Sequence, residues 1–104
     1  MKTIQILKVA VLGDGCLGVF PASRTDMFQY VYREAAGVYW DDDKGCFKST
    51  QPEEWTLDKW YQHIVAIVRS GLGIQLVLCP ETDFQADDDG FTEAIKLADQ
   101  HLWR

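Results

Sequence analysis

Three stretches of this sequence hold residues of the right type and spacing to do chemistry. Gly13, Gly15 and Gly18 spell G-x-G-x-x-G after an apolar, β-branched run, the pattern by which dinucleotide-binding turns bring backbone N–H groups to a pyrophosphate. Asp41 follows Gly18 by 23 residues (41 − 18), near the position of a ribose-binding carboxylate in that pattern. Pro21, however, would break the helix the motif requires, and 104 residues cannot hold two mononucleotide-binding halves. A glycine-rich hairpin turn is therefore the expectation. In the second stretch, Asp87-Asp88-Asp89-Gly90 resembles the middle of a calcium loop, but aligning Gly90 with the loop's sixth position puts Gln85 first and Lys96 twelfth, where an acidic ligand and a bidentate Glu are needed. A solvated loop and helix cap is expected there. The third stretch, Asp41-Asp42-Asp43, reads as a solvated hairpin tip that keeps other sheet edges away, or as an acidic contact patch for a basic partner.

No catalytic set is complete. Cys16, Cys46 and Cys79 are odd in number and widely spaced, which argues against a disulfide framework or a zinc site and for buried thiols. His63 and His101 have no Cys, His or carboxylate at ligand spacing. No Ser lies in G-x-S-x-G, and adjacent Glu53 and Glu54 point apart on a helix. The expectation is no metal, no cofactor and no catalytic residue.

Aromatic residues weigh most. Trp40, Trp55, Trp60 and Trp103 join four tyrosines and five phenylalanines. Such side chains build cores, and they also build interfaces and pockets because they bury large area at low entropic cost. Trp60 and Tyr61 suit the core, while Trp40, Trp55 and Trp103 suit exposed contacts. The candidate interface or pocket residues are thus Trp40, Trp55, Trp60, Tyr61 and Trp103, with Asp41, Asp42 and Asp43.

These residues must be positioned by short elements. Residues 3–12 read as a strand with Ile4, Ile6, Ala10 and Leu12 on one face. Asp14-Gly15 suits a tight turn, and residues 16–20 return as a second strand ended by Pro21. Between caps at Ser23 or Thr25 and Gly37, the spacing of Met27, Tyr30, Val31 and Ala35 fits a helix, although Phe28, Tyr30 and Tyr32 alternate as a strand would. Residues 38–40 and 46–48 flank a polar, Gly-ended hairpin loop. A helix starts at Pro52 or at Thr56 and carries Leu57, Trp60, Tyr61, Ile64, Ile67 and Val68 as far as Gly71. Residues 74–79 are nearly all apolar, as in the centre of a sheet. A polar loop over 81–88 then leads to a helix capped by Asp89, with a stripe of Phe91, Ala94, Ile95, Ala98 and Leu102. The order β-β-α-β-β-α-β-α predicts an α+β fold: one mixed or largely antiparallel sheet covered by two or three helices.

No repeat or linker divides the chain, so residues 1–104 read as a single domain. Apolar residues at 47% and charged residues at 25% place it among ordered globular proteins. The formal charge of −6 with dispersed basic residues speaks against nucleic acid, which needs a basic patch. No apolar run reaches membrane-spanning length, and the N-terminus has a lysine within its apolar run and no small-residue cleavage site. A cytoplasmic location is expected.

The stretch Tyr39-Trp40-Asp41-Asp42-Asp43-Lys44-Gly45-Cys46-Phe47, followed by Pro52-Glu53-Glu54-Trp55 and the Leu57–Val68 helix, resembles small orphan proteins of mobile, integron-type gene cassettes and bacterial immunity-type proteins. The resemblance covers residues 38–79. It implies a compact, often oligomeric α/β protein with no catalytic residues to carry over. The leading expectation is a non-enzymatic binding or interaction module, homo-oligomeric, that uses aromatic and acidic surface. The alternatives are a small-molecule pocket or weak enzyme lined by Trp40, Trp60, Tyr61 and a cysteine, and an immunity-type inhibitor of a basic toxin.

Overall fold

The strand at the start of the chain organises everything after it. In the computed structural model, which describes residues 2–13, 16–23, 28, 38–49, 56–85 and 90–102, β1 (Lys2–Val11) is followed by β2 (Leu17–Pro21), β3 (Val38–Asp41), β4 (Cys46–Ser49), α1 (Leu57–Leu72), β5 (Ile74–Val77), β6 (Asp83–Gln85) and α2 (Gly90–Leu102). The strands form one mixed sheet in the order β3-β4-β2-β1-β5, with β6 also paired to β1. The β1–β2, β2–β4 and β3–β4 pairs are antiparallel, and β5 and β6 run parallel to β1. The fold is α+β, as expected. The helix expected over 25–36 lies outside the described residues except for Phe28.

The sheet has two faces, and the register assigns each residue. Trp40, Phe47, Val19, Val9 and Phe84 are successive cross-strand partners and share one face. Tyr39, Lys48, Gly18, Ala10 and Gln85 form the row beside it on the other. Both described helices pack on the first face. Trp60, Tyr61, Ile64, Val65 and Val68 of α1 and Phe91, Ile95 and Ala98 of α2 join Ile4, Ile6, Val9, Val19 and Phe47 in one core. At roughly 25 cal/mol per Å² of apolar surface, this burial is the main force holding the layers together.

A β-bulge between Ile6 and Lys8 corrects the expected alternation of β1. Two residues there oppose one on β2, so the helix-facing positions switch from Ile4 and Ile6 to Val9 and Val11, and Ala10 and Leu12 fall on the opposite face. Leu7, at the bulge, is 58% exposed.

The C-terminal half brings further corrections. β5 lies at the end of the sheet, and β1 holds the centre; the run 74–79 is apolar because Ile74 and Leu76 face the α1 layer. β6 interrupts the expected polar loop. β5 and β6 together flank β1 as one broken strand, and the break is stitched by Thr82. Its hydroxyl donates to the Ile6 carbonyl at 2.6 Å and accepts from the Cys79 N–H at 2.9 Å. Helix α1 passes through Gly71 and stops at Gly73, whose φ of 66° lets its N–H reach the Arg69 carbonyl at 3.0 Å. Asp58 in the first turn and Arg69 in the last suit the helix dipole. On α2, Phe91, Ile95 and Ala98 are buried while Ala94 is exposed, which narrows the expected stripe. The helices are tied by the Tyr61 hydroxyl, which donates to Asp99 Oδ1 at 2.7 Å, and by Gln62 Nε2 donating to the Ala98 carbonyl at 3.3 Å.

Candidate functional site

Strands β3 and β4 bring the central aromatic and acidic candidates together. The turn between them closes because Gly45, at φ 78°, places its N–H 2.7 Å from the Asp41 carbonyl, a left-handed conformation that glycine adopts without steric cost. Asp41 Oδ1 accepts from the Lys44 N–H at 3.0 Å, and Asp42 Oδ1 accepts from Trp40 Nε1 at 3.2 Å. Two of the three carboxylates therefore shape the turn, while Asp42 and Asp43 stand exposed at its tip.

Trp40 anchors this tip. Its ring lies edge-on to Phe28 at 4.9 Å and to Phe47 at 5.0 Å, and those two rings are 4.8 Å apart. Phe28 and Phe47 are fully buried, and Trp40 is half-buried. Three aromatic rings in mutual contact, two of the pairs edge-on and the third tilted, stabilise beyond their buried area, so the acidic turn rests on a fixed base.

The other candidates lie elsewhere. Trp60 and Tyr61 belong to the core of α1, at 8% and 0% exposure; Trp60 stands edge-on to His63 at 5.7 Å. Burial, together with the hydrogen bond to Asp99 and that carboxylate's charge, pushes the Tyr61 hydroxyl up from its usual range. Trp55 and Trp103 lie outside the described residues. Gly18 sits inside β2, opposite Ala10 and Lys48, and the Leu12 N–H donates to the Cys16 carbonyl at 2.8 Å across the preceding turn. The strands on either side of the glycine pattern pair antiparallel, and Gly15 lies outside the described residues.

Each cysteine is reduced, with Cys16 and Cys46 buried and Cys79 half-buried. Burial, then the nearby Asp41 carboxylate, pushes the Cys46 thiol up to about 11 against the partial relief of Lys48, Lys44 and Lys8. A thiol held protonated is a poor nucleophile at neutral pH. Among the described residues, no three His, Cys, Asp or Glu side chains group as metal ligands, and no helix is long and apolar enough to cross a membrane.

Sequence reasoning missed Phe28 as the third ring and Lys8 and Lys48 as neighbours of one sheet face. Alternation in 38–40 and 46–48 could have paired Lys48 with Tyr39; the bulge in β1 hid Lys8.

Residues 8–82 match the family model described as Integron Cassette Protein Hfx_Cass5. The solved structure of integron cassette protein Hfx_Cass5, from the mobile metagenome of the North West Arm Sewage Outfall, is 30% identical, with 96% of this chain and 98% of that chain covered and a TM-score of 0.47. No functionally curated protein matches.

Proposed function

For this chain, which belongs to the Hfx_Cass5 family of integron cassette proteins, we propose a non-enzymatic interaction module that associates with itself and presents aromatic and acidic surface. The observation that carries this reading is the β3–β4 hairpin, whose acidic turn is fixed on the Phe28–Trp40–Phe47 cluster. A contact surface fixed before binding loses less entropy on association.

The self-association is supported by β3, which ends the sheet and carries Tyr39 at 36% exposure. Two copies pairing β3 antiparallel about a two-fold axis would extend the sheet and keep their acidic tips at opposite ends of the contact. Light scattering over a concentration series tests this. A dimer or higher oligomer at micromolar concentration that Tyr39→Lys weakens at least tenfold is expected, since a charge on an edge strand opposes pairing. A monomer throughout the series overturns the proposal.

Exposed Asp42 and Asp43 favour a second reading in which the tip engages a basic protein, as an immunity-type inhibitor would. Binding of that kind weakens with salt, and a salt-insensitive complex contradicts it.

A further inference from the structure

The turn that ends β3 sets which of its main-chain groups face outward. Gly45 donates its N–H to the Asp41 carbonyl at 2.7 Å, so that carbonyl points inward, toward β4. In an antiparallel strand the N–H and C=O of one residue point to the same side, and successive residues alternate between sides. Tyr39 therefore also turns its main-chain groups to β4, while Val38 and Trp40 turn theirs outward. Among the described residues, β3 pairs with β4 alone. Its edge presents two donor–acceptor residues with Tyr39 between them.

A second copy can meet this edge only under a parity condition. The two-fold axis that joins two sheets edge to edge is perpendicular to them, so residues of one face stay on that face. One residue must then oppose its own copy, and within Val38–Asp41 the choice falls between Tyr39 and Trp40. Centring on Trp40 lets that residue exchange two bonds with its own copy. The next outward residue, Val38, would then need Asp42, which has left the strand. Centring on Tyr39 sets Val38 opposite the copy's Trp40 at both ends, and each of these two pairs exchanges two bonds, four in all. The side chains agree. Tyr39, 36% exposed, faces its own copy in a non-hydrogen-bonded pair, where Cα atoms are about 4.5 Å apart and side chains lie closest. On the helix face, half-buried Trp40 meets buried Val38. Asp42 lies three residues from the centre, so the two acidic tips stand roughly 20 Å apart, about twice the screening length at physiological salt.

We propose that two copies of this chain join through β3 in one register, centred on Tyr39, with Val38 and Trp40 supplying the main-chain bonds. This register rests on the self-association proposed above and names the residues that meet.

Cross-linking separates the two registers. In Tyr39→Cys the introduced thiols face each other, and oxidised glutathione should join the dimer through residue 39, located by peptide mass mapping. In Trp40→Cys the two Cα atoms are roughly 8 Å apart, beyond the about 7 Å limit for a disulfide, and no bond through residue 40 should form. The native chain sets the background from Cys16, Cys46 and Cys79, and thermal melts establish that both variants fold. Amide hydrogen exchange on the native chain needs no substitution. The Val38 and Trp40 amides should exchange at least about tenfold more slowly at dimer-forming than at monomer concentrations, while that of Tyr39, bonded to β4 in both, should not change. A bond through residue 40 and none through 39, or exchange at Val38 and Trp40 that ignores concentration while light scattering shows a dimer, overturns the register and leaves self-association standing. A monomer throughout overturns both.

Discussion

The two faces of the sheet are built from alternate residues of the same strands, yet they do different work. One row, Trp40, Phe47, Val19, Val9 and Phe84, meets helices; the next, Tyr39, Lys48, Gly18, Ala10 and Gln85, mixes aromatic, charged and small residues. The first row is restricted by close packing, where one lost methylene is felt. The second is mixed: Ala10, Gly18 and Lys48 are buried, while Tyr39 and Gln85 at its two ends are exposed.

Mutations should separate the faces sharply. Phe47→Ala removes a ring at 0% exposure that touches both Phe28 and Trp40, and a loss of about 3–5 kcal/mol by urea denaturation is expected. A loss below about 1 kcal/mol would mean that the helix-side packing is loose and the contrast false.

Cys46 belongs to the second face and is fully buried, as Ala10 and Lys48 beside it are buried. Its thiol is raised from 9.0 to about 11, so the fold favours the protonated form. Below pH 9 neither state ionises and stability is complete; from pH 9 to about 11 the unfolded chain gains thiolate and stability falls. Denaturation across that interval should show a loss on the order of 2 kcal/mol that Cys46→Ala abolishes, leaving the smaller contribution of Tyr61, which titrates in the same direction. An identical alkaline loss in Cys46→Ala would show that the fold does not seal the thiol.

Tyr61→Phe tests the helix layer alone. Loss of its hydrogen bond to Asp99 should cost about 1–2 kcal/mol, read in the same denaturation assay. The smallest effect belongs to Tyr39→Ala on the second face, expected below about 1 kcal/mol in dilute monomer; a larger value would show that this row also supports the fold.

Much of this arrangement was legible in the sequence, and the failures have distinct physical causes. Helix α1 declared itself through Trp60, Tyr61, Ile64 and Val68 at 3.6-residue spacing, and the β3–β4 hairpin through Gly45 after three aspartates. The bulge did not, because the parity of β1 changes with no marker residue at Leu7. Gly71 lay close enough to the end of α1 to pass for its stop, although the left-handed position is Gly73. β6 was invisible because three residues hold no period, and its place depends on β1, more than 70 residues earlier. At the site, Trp40 and the aspartates were found by composition, whereas Phe28 and Lys8 entered only through tertiary contacts.

The central place of β1 also sets an order of events. Lys2–Val11 is made first, but its partners on one side are residues 74–77 and 83–85. On the ribosome, β1 can pair with β2 early, and its other edge must wait until most of the chain has emerged. Such distant closure slows folding, and an exposed edge in the interval invites pairing between nascent chains. Expression yield should therefore respond more to synthesis rate and temperature than the stability of the finished fold would suggest.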